Sequence, residues 1–202
     1  MAAITPLTVV NACLKSMGET PLNSLDSDHP YVQAALNTLD ESNVIEQELG
    51  WWFNTDYVTL HDDPGNGSVY VPADALNVEA DDSMIVQRGN RLWDTGRATY
   101  NIGRPVSVKL IREIPFDDLP KNVKQMVSLR AQLDFQAAYD ADDAKYQKLY
   151  AAYTQAYSRV RRMHIRNQQL NMFHAPRIQR ILSGVRPSTR FAAGVMYPYR
   201  VR

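Results

Sequence analysis

The chain nearly lacks cysteine: Cys13 stands alone among 202 residues. That excludes a disulfide framework within the chain and fits synthesis in a reducing cytosol. Cys13 itself reads as a packed helix residue. No apolar run approaches the roughly 18 residues that a membrane span requires. The N-terminal stretch MAAITPLTVVNACLKSMG has no basic region ahead of its apolar residues, so it reads as a capped helix and not as a signal peptide. Catalytic signatures are missing too. There is no CxxC, no HExxH, no phosphate-binding loop and no GxSxG. His29, His61, His164 and His174 share no ligand-like spacing. Asp62, Asp63 and Asn66 faintly resemble a calcium loop, but Pro64 stands where a ligand oxygen is needed. No metal, no cofactor and no enzymatic activity are expected.

Acid is missing as well, but only from one end. The 59 residues after Asp143 carry twelve Lys or Arg and no Asp or Glu, whereas the first 143 carry ten bases and twenty-two acids. A formal net charge of zero thus hides an acidic body joined to a basic C-terminal segment. Such a split predicts different partners for the two parts, because like charge repels and opposite charge steers.

Apolar periodicity predicts where the chain folds. Thr5 and Pro6 open a first helix, with Leu7, Val10, Leu14 and Met17 on one face and Gly18 as its stop. Asp28 is placed to cap a second helix carrying Val32, Leu36, Leu39 and Ile45 and ending at Gly50. Character changes at Trp51. WWFNTDYVTL reads as a strand, DDPGNG as a turn, SVYVP as a short strand, and MIVQRGNRLWDTG as a hairpin around Gly89-Asn90. VSVKLIREI alternates as one more strand. Helices resume after Pro120, the last running from Asp142 or Asp143 to about Asn171. The expected fold is α+β, mainly α. Residues 1–50 and 115–171 form a bundle of about four helices, 51–114 an inserted small antiparallel β module, and 172–202 an extended C-terminal arm.

Two patterns invite chemistry and are explained by structure. Paired acids at Asp62-Asp63, Asp81-Asp82, Asp117-Asp118 and Asp142-Asp143 suit turns and helix starts, with Asp117 and Asp142 expected just ahead of helices. Neighbours on a strand point to opposite faces, so adjacency makes no catalytic dyad. Tyr146, Tyr150, Tyr153 and Tyr157 form one stripe on the last helix. Flanked by Lys and Arg it could stack nucleic-acid bases, but its continuation through Val160 predicts a packing face, within or between subunits.

Four segments together resemble the tail tubular protein A family, the head-to-tail adaptors of short-tailed bacteriophages. SMGETPLNSL at 16–25 is similar to the family's Gly-Glu-x-Pro turn, and LGWWFN at 49–54 to its Gly-Trp-x-Phe-Asn approach to the β region. MIVQRGNRLWD at 84–94 resembles its Arg-Gly hairpin with an aromatic-Asp pair, and VSVKLIREIPFDDLP at 106–120 its strand and acidic descent to a helix-opening Pro. The resemblance spans about residues 8 to 170. It implies a virion structural protein of the tail, made in the host cytoplasm, with no membrane partner during assembly. It further implies a homo-oligomeric ring of twelve subunits between portal and nozzle, through which viral DNA passes without sequence-specific binding. Tail fibres attach around that junction in such phages.

Within that picture, Trp51, Trp52, Tyr150 and Tyr157 are the expected lateral contacts between subunits. The arm is expected to dock on the portal through Arg177, Arg180, Arg186, Arg190, Arg200 and Arg202, alternating with Ile181, Leu182, Phe191 and Tyr197. An alternative class is a nucleic-acid-binding protein using the basic C-terminal segment, weakened because its cations are spread among apolar residues. A third is a cell-wall or polysaccharide hydrolase, for which no carboxylate pair can be placed at catalytic separation.

Overall fold

The computed structural model describes residues 3–25, 29–140 and 142–174, with side chains as far as residue 168. Met1–Arg162 form one compact unit, and Met163–Arg202 are a second, whose described part continues the last helix. Helix α1 (Pro6–Ser16) begins as its sequence predicts. Thr8 donates its backbone N–H to the Thr5 hydroxyl, and Thr5 returns its own N–H to the Thr8 hydroxyl, so two free amides are satisfied at once. At the other end Gly18 adopts φ +86, which lets the N–H groups of Gly18 and Glu19 reach Lys15 O and Leu14 O. Helix α2 (Val32–Glu48) starts without a side-chain cap at Tyr31, and Asp28, its expected cap, lies outside the described residues.

Helices α3 (Lys121–Tyr139) and α4 (Asp143–His174) complete the helical part. Val9, Val10, Cys13 and Leu14 of α1 meet Ala35 and Leu39 of α2, Met126 and Phe135 of α3, and Ala156 and Val160 of α4. Asp142 opens α4 as expected: its Oδ1 accepts from the N–H of Ala144 at 2.9 Å and of Lys145 at 3.1 Å. Asp117 does not open α3. It sits inside a short 3-10 turn (Phe116–Asp118), and Pro120 precedes α3 without a side-chain bond. Helix α4 reaches His174, so residues 172–174, expected in the arm, are helical.

Between the helix pairs lie strands β1 (Thr55–Leu60), β2 (Ala75–Ala80), β3 (Ile85–Arg88), β4 (Arg91–Asp94) and β5 (Val106–Arg112). Strand β5 is central, pairing antiparallel with β1 and with β2, while β3 and β4 form the hairpin around Gly89-Asn90. Alternation along β5 turns Val106, Val108 and Leu110 inward against Val69, Val78 and Leu92, giving the β region its own apolar core. The architecture is α+β and mainly α. Two details differ from expectation. WWFNTDYVTL becomes a strand only at Thr55, because Trp51–Asn54 are a turn whose Trp51 fills the helical core. SVYVP forms isolated bridges and no ladder strand, while ALNVEA, poor in β-formers, is strand β2.

Candidate functional site

The C-terminal half of α2 is buried on its polar side. Asn43, Glu46 and Gln47 are enclosed, whereas Ile45, expected on the apolar face, is exposed. These polar side chains tie the helical part to the β region by gripping backbone. Gln47 Nε2 donates to Ile114 O at 2.8 Å, and Gln47 Oε1 accepts from the Ile114 N–H at 2.8 Å. Asn43 adds a bond to the same carbonyl at 3.2 Å. From the other side, Asn54 Nδ2 donates to Gln47 O at 3.0 Å and to Arg112 O at 2.9 Å, and its Oδ1 accepts from the Trp51 N–H at 2.8 Å. The Trp51 indole N–H donates to Glu46 O at 2.6 Å. Gly50 is required in this turn: its φ is +72, and a Cβ there would lie 2.7 Å from Ile111 Cδ1.

Glu46 is the buried charge of the joint. With only 2 % of its surface exposed, it accepts from the Tyr153 hydroxyl at 2.6 Å and faces Arg130 Nη1 at 3.6 Å. Its second oxygen, Oε2, meets no hydrogen-bond donor among the described residues. Burial pushes the carboxyl above its ordinary value, against the opposing pull of the Tyr153 bond and the Arg130 charge. Burial, reinforced by the Glu46 bond, raises the Tyr153 phenol, and the bond to Asp134 raises the Arg130 guanidinium. Arg130 Nε holds Asp134 Oδ2 at 2.6 Å. The carboxylate thus clasps α2 to α4 beneath α3. It is a structural charge, paired and enclosed.

The expected lateral contacts divide. Trp51 is 3 % exposed and meets Tyr157 edge-on at 5.8 Å inside the subunit, so neither indole face is open to a neighbour. Tyr157 and Trp52 are half-buried against the helical core. Tyr150, 50 % exposed and stacked on Tyr146 at 6.3 Å, faces outward. The tyrosine stripe is therefore a packing face at Tyr153 and Tyr157 and a surface at Tyr150. Arg177, Arg180, Ile181, Leu182, Arg186, Arg190, Phe191, Tyr197, Arg200 and Arg202 lie outside the described residues.

Asp63, in the loop with faint calcium character, turns its carboxylate to the Gly65 N–H and the Asn66 amide, as turn carboxylates do. No group of three His, Cys, Asp or Glu among the described residues could hold a metal. No helix among them is long and apolar enough to cross a membrane. Cys13 is buried, and burial pushes its thiol up to about 12, which leaves it inert as a nucleophile. Sequence patterns did not reveal Asn43, Glu46, Gln47 or Asn54 as key residues, because polar residues in an amphipathic helix or turn read as solvent-facing. Their one signal is position: they flank the Gly50-Trp51 change of character.

Known proteins agree with this architecture. The family model described as tail tubular protein matches residues 7–170. Tail tubular protein A of Klebsiella phage KP34 is 26% identical over 169 residues, covering 82% of this chain and 89% of that protein. This chain belongs to the tail tubular protein family, structural proteins of bacteriophage tails and not enzymes.

Proposed function

We propose that the chain is the subunit of a head-to-tail adaptor ring that joins the portal to the tail nozzle and encloses part of the DNA ejection channel. The observation that carries this reading is the buried joint through Gln47, Asn54 and Trp51. A spacer between two partner layers must move as one body, and hydrogen bonds made in a dry interior from side chain to main chain resist shear between its parts. Charge supports the reading too. The first 143 residues hold ten bases against twenty-two acids, and an acidic conduit avoids the phosphate contacts that would slow a passing duplex. The ring has twelve copies by family resemblance.

Tyr150 and Trp52 supply lateral contact in this reading, with Trp51 and Tyr157 holding them from inside. The basic arm lies along the portal, its arginines meeting carboxylates and Ile181, Leu182 and Phe191 filling apolar pockets. The nozzle meets the opposite side of the ring, with tail fibres near that junction. Electron microscopy of the protein mixed with its portal tests this. Added ring density on the tail-facing end of the portal is expected, and its absence under all conditions overturns the adaptor reading. Deleting residues 176–202 should leave a folded body that no longer joins. Normal joining by that variant would remove the arm from the mechanism.

A further inference from the structure

The body is acidic everywhere except at one hairpin. Residues 84–104 carry Arg88, Arg91, Arg97 and Arg104 against Asp94, while residues 51–83 carry seven acids and no Lys or Arg. Pairing in the hairpin sets Val86 opposite Trp93 and Arg88 opposite Arg91. Side chains two apart on a strand share a face, so Val86, Arg88, Arg91 and Trp93 all point the same way. Their neighbours Ile85 and Leu92 point to the β core. Tyr70, bridged to Arg91, extends the outward face, and Tyr100 closes it by packing edge-on to Trp93 at 4.5 Å.

The two guanidiniums of this face are stacked and make no ion pair among the described residues. Arg88 lies 4.3 Å above the Trp93 ring and Arg91 4.2 Å above that of Tyr100. The remaining arginines are engaged: Arg104 with Asp82 at 2.8 Å and Arg97 with Asp94 at 3.8 Å. Stacking fixes both planes while leaving their N–H edges free, so little side-chain freedom remains to be lost on binding. Tyr70 and Val86 are 44% and 41% exposed, which places large apolar area beside the cations. Trp, Tyr and Arg over an apolar floor are the composition of an interface centre between proteins. A phosphate-tracking groove would have cations without that floor.

We propose that this hairpin face is a protein-docking surface whose occupant is an acidic face of the next copy of the same chain, making a head-to-tail contact around the ring. The occupant follows from charge: outside 84–104 the first 143 residues hold six bases and twenty-one acids. Such a contact joins two different patches, and repeated by rotation it closes a ring. This deepens the adaptor reading and rests on it.

The test uses the full chain with Val86→Cys labelled by a benzophenone maleimide. Burial of Cys13 keeps the labelling selective. Irradiation of the protein at high concentration and in assembled tails should join position 86 to a second copy at a peptide rich in Asp and Glu. Arg88→Glu with Arg91→Glu should weaken self-association about tenfold or more, with an unchanged circular dichroism spectrum. Lys121→Glu with Lys148→Glu, the same change of charge elsewhere, should have a far smaller effect. Cross-links only to another tail protein or to DNA, links between two copies of position 86, or no links in rings that still form would overturn the docking surface and leave the ring standing. Absence of any self-association, in solution and in tails, would overturn both.

Discussion

The two halves of the body solve the same packing problem with different materials. The β region keeps a small core of aliphatic side chains, Val78, Val106, Val108 and Leu110 among them, and places its charges outside in pairs such as Lys109–Glu79 at 3.0 Å. The helical part has the larger apolar core, yet it also buries Asn43, Glu46, Gln47, Asn54 and Gln136. An aliphatic core needs only shape. A polar one needs every donor and acceptor placed, so it specifies a single arrangement at the risk of a large loss when one member fails. The polar groups concentrate where the two halves meet, which makes the seam the most demanding part of the molecule.

Four changes probe that contrast. Trp51→Ala removes the largest side chain of the seam together with its bond to Glu46 O, and should cost about 3–5 kcal/mol. Thermal unfolding with hydrogen exchange should show protection falling in both regions together; retained protection across β5 would mean that the seam does not couple them. Gln47→Leu keeps bulk but strands the Ile114 N–H, and about 2–3 kcal/mol should be lost in urea unfolding. If stability instead holds, apolar packing suffices there.

Glu46→Gln acts through pH. Because burial raises the folded carboxyl, the folded state holds its proton more tightly than the unfolded chain does. That adds no penalty below the ordinary carboxylate range. As pH rises through that range the unfolded chain ionises first, so stability falls, and the fall is complete above the raised value. Tyr153, Arg130 and Asp134 are the ionisable neighbours that moderate it. The Gln variant should lose this slope, measured as unfolding midpoint against pH; an unchanged slope would show that Glu46 does not set it. The smallest effect belongs to the β surface. Lys109→Ala breaks only a solvent-screened pair and should shift stability by less than about 1 kcal/mol.

Much of this was legible in the sequence where local rules act alone. Thr5-Pro6 and Gly18 bracket α1, Gly89-Asn90 marks the hairpin, and the alternation of 106–112 marks β5. Tertiary context decided the rest. ALNVEA becomes β2 because β5 offers it a ladder, a pairing that no short window contains. Trp51 reads as strand by residue type and is a helical-core side chain by position. Ile45 faces out because the helix turns its polar stripe toward Ile114, some 67 residues away in the chain. Of the expected contacts, the tyrosine stripe was legible as a packing face, and its division between inside and outside depends on where α4 leaves the core.

One property of the seam reaches beyond stability. Gln47, Asn54 and Trp51 reach main-chain atoms of Ile114, Arg112 and Glu46, not their side chains. Every amino acid presents the same carbonyl, and every one except proline the same amide. The grip is therefore blind to the identity of the residue gripped. Position 114 can change to meet a new neighbour in the tail while the fastening stays as it is, provided that it never becomes proline. A few fixed side chains thus leave the surfaces around them free to diverge.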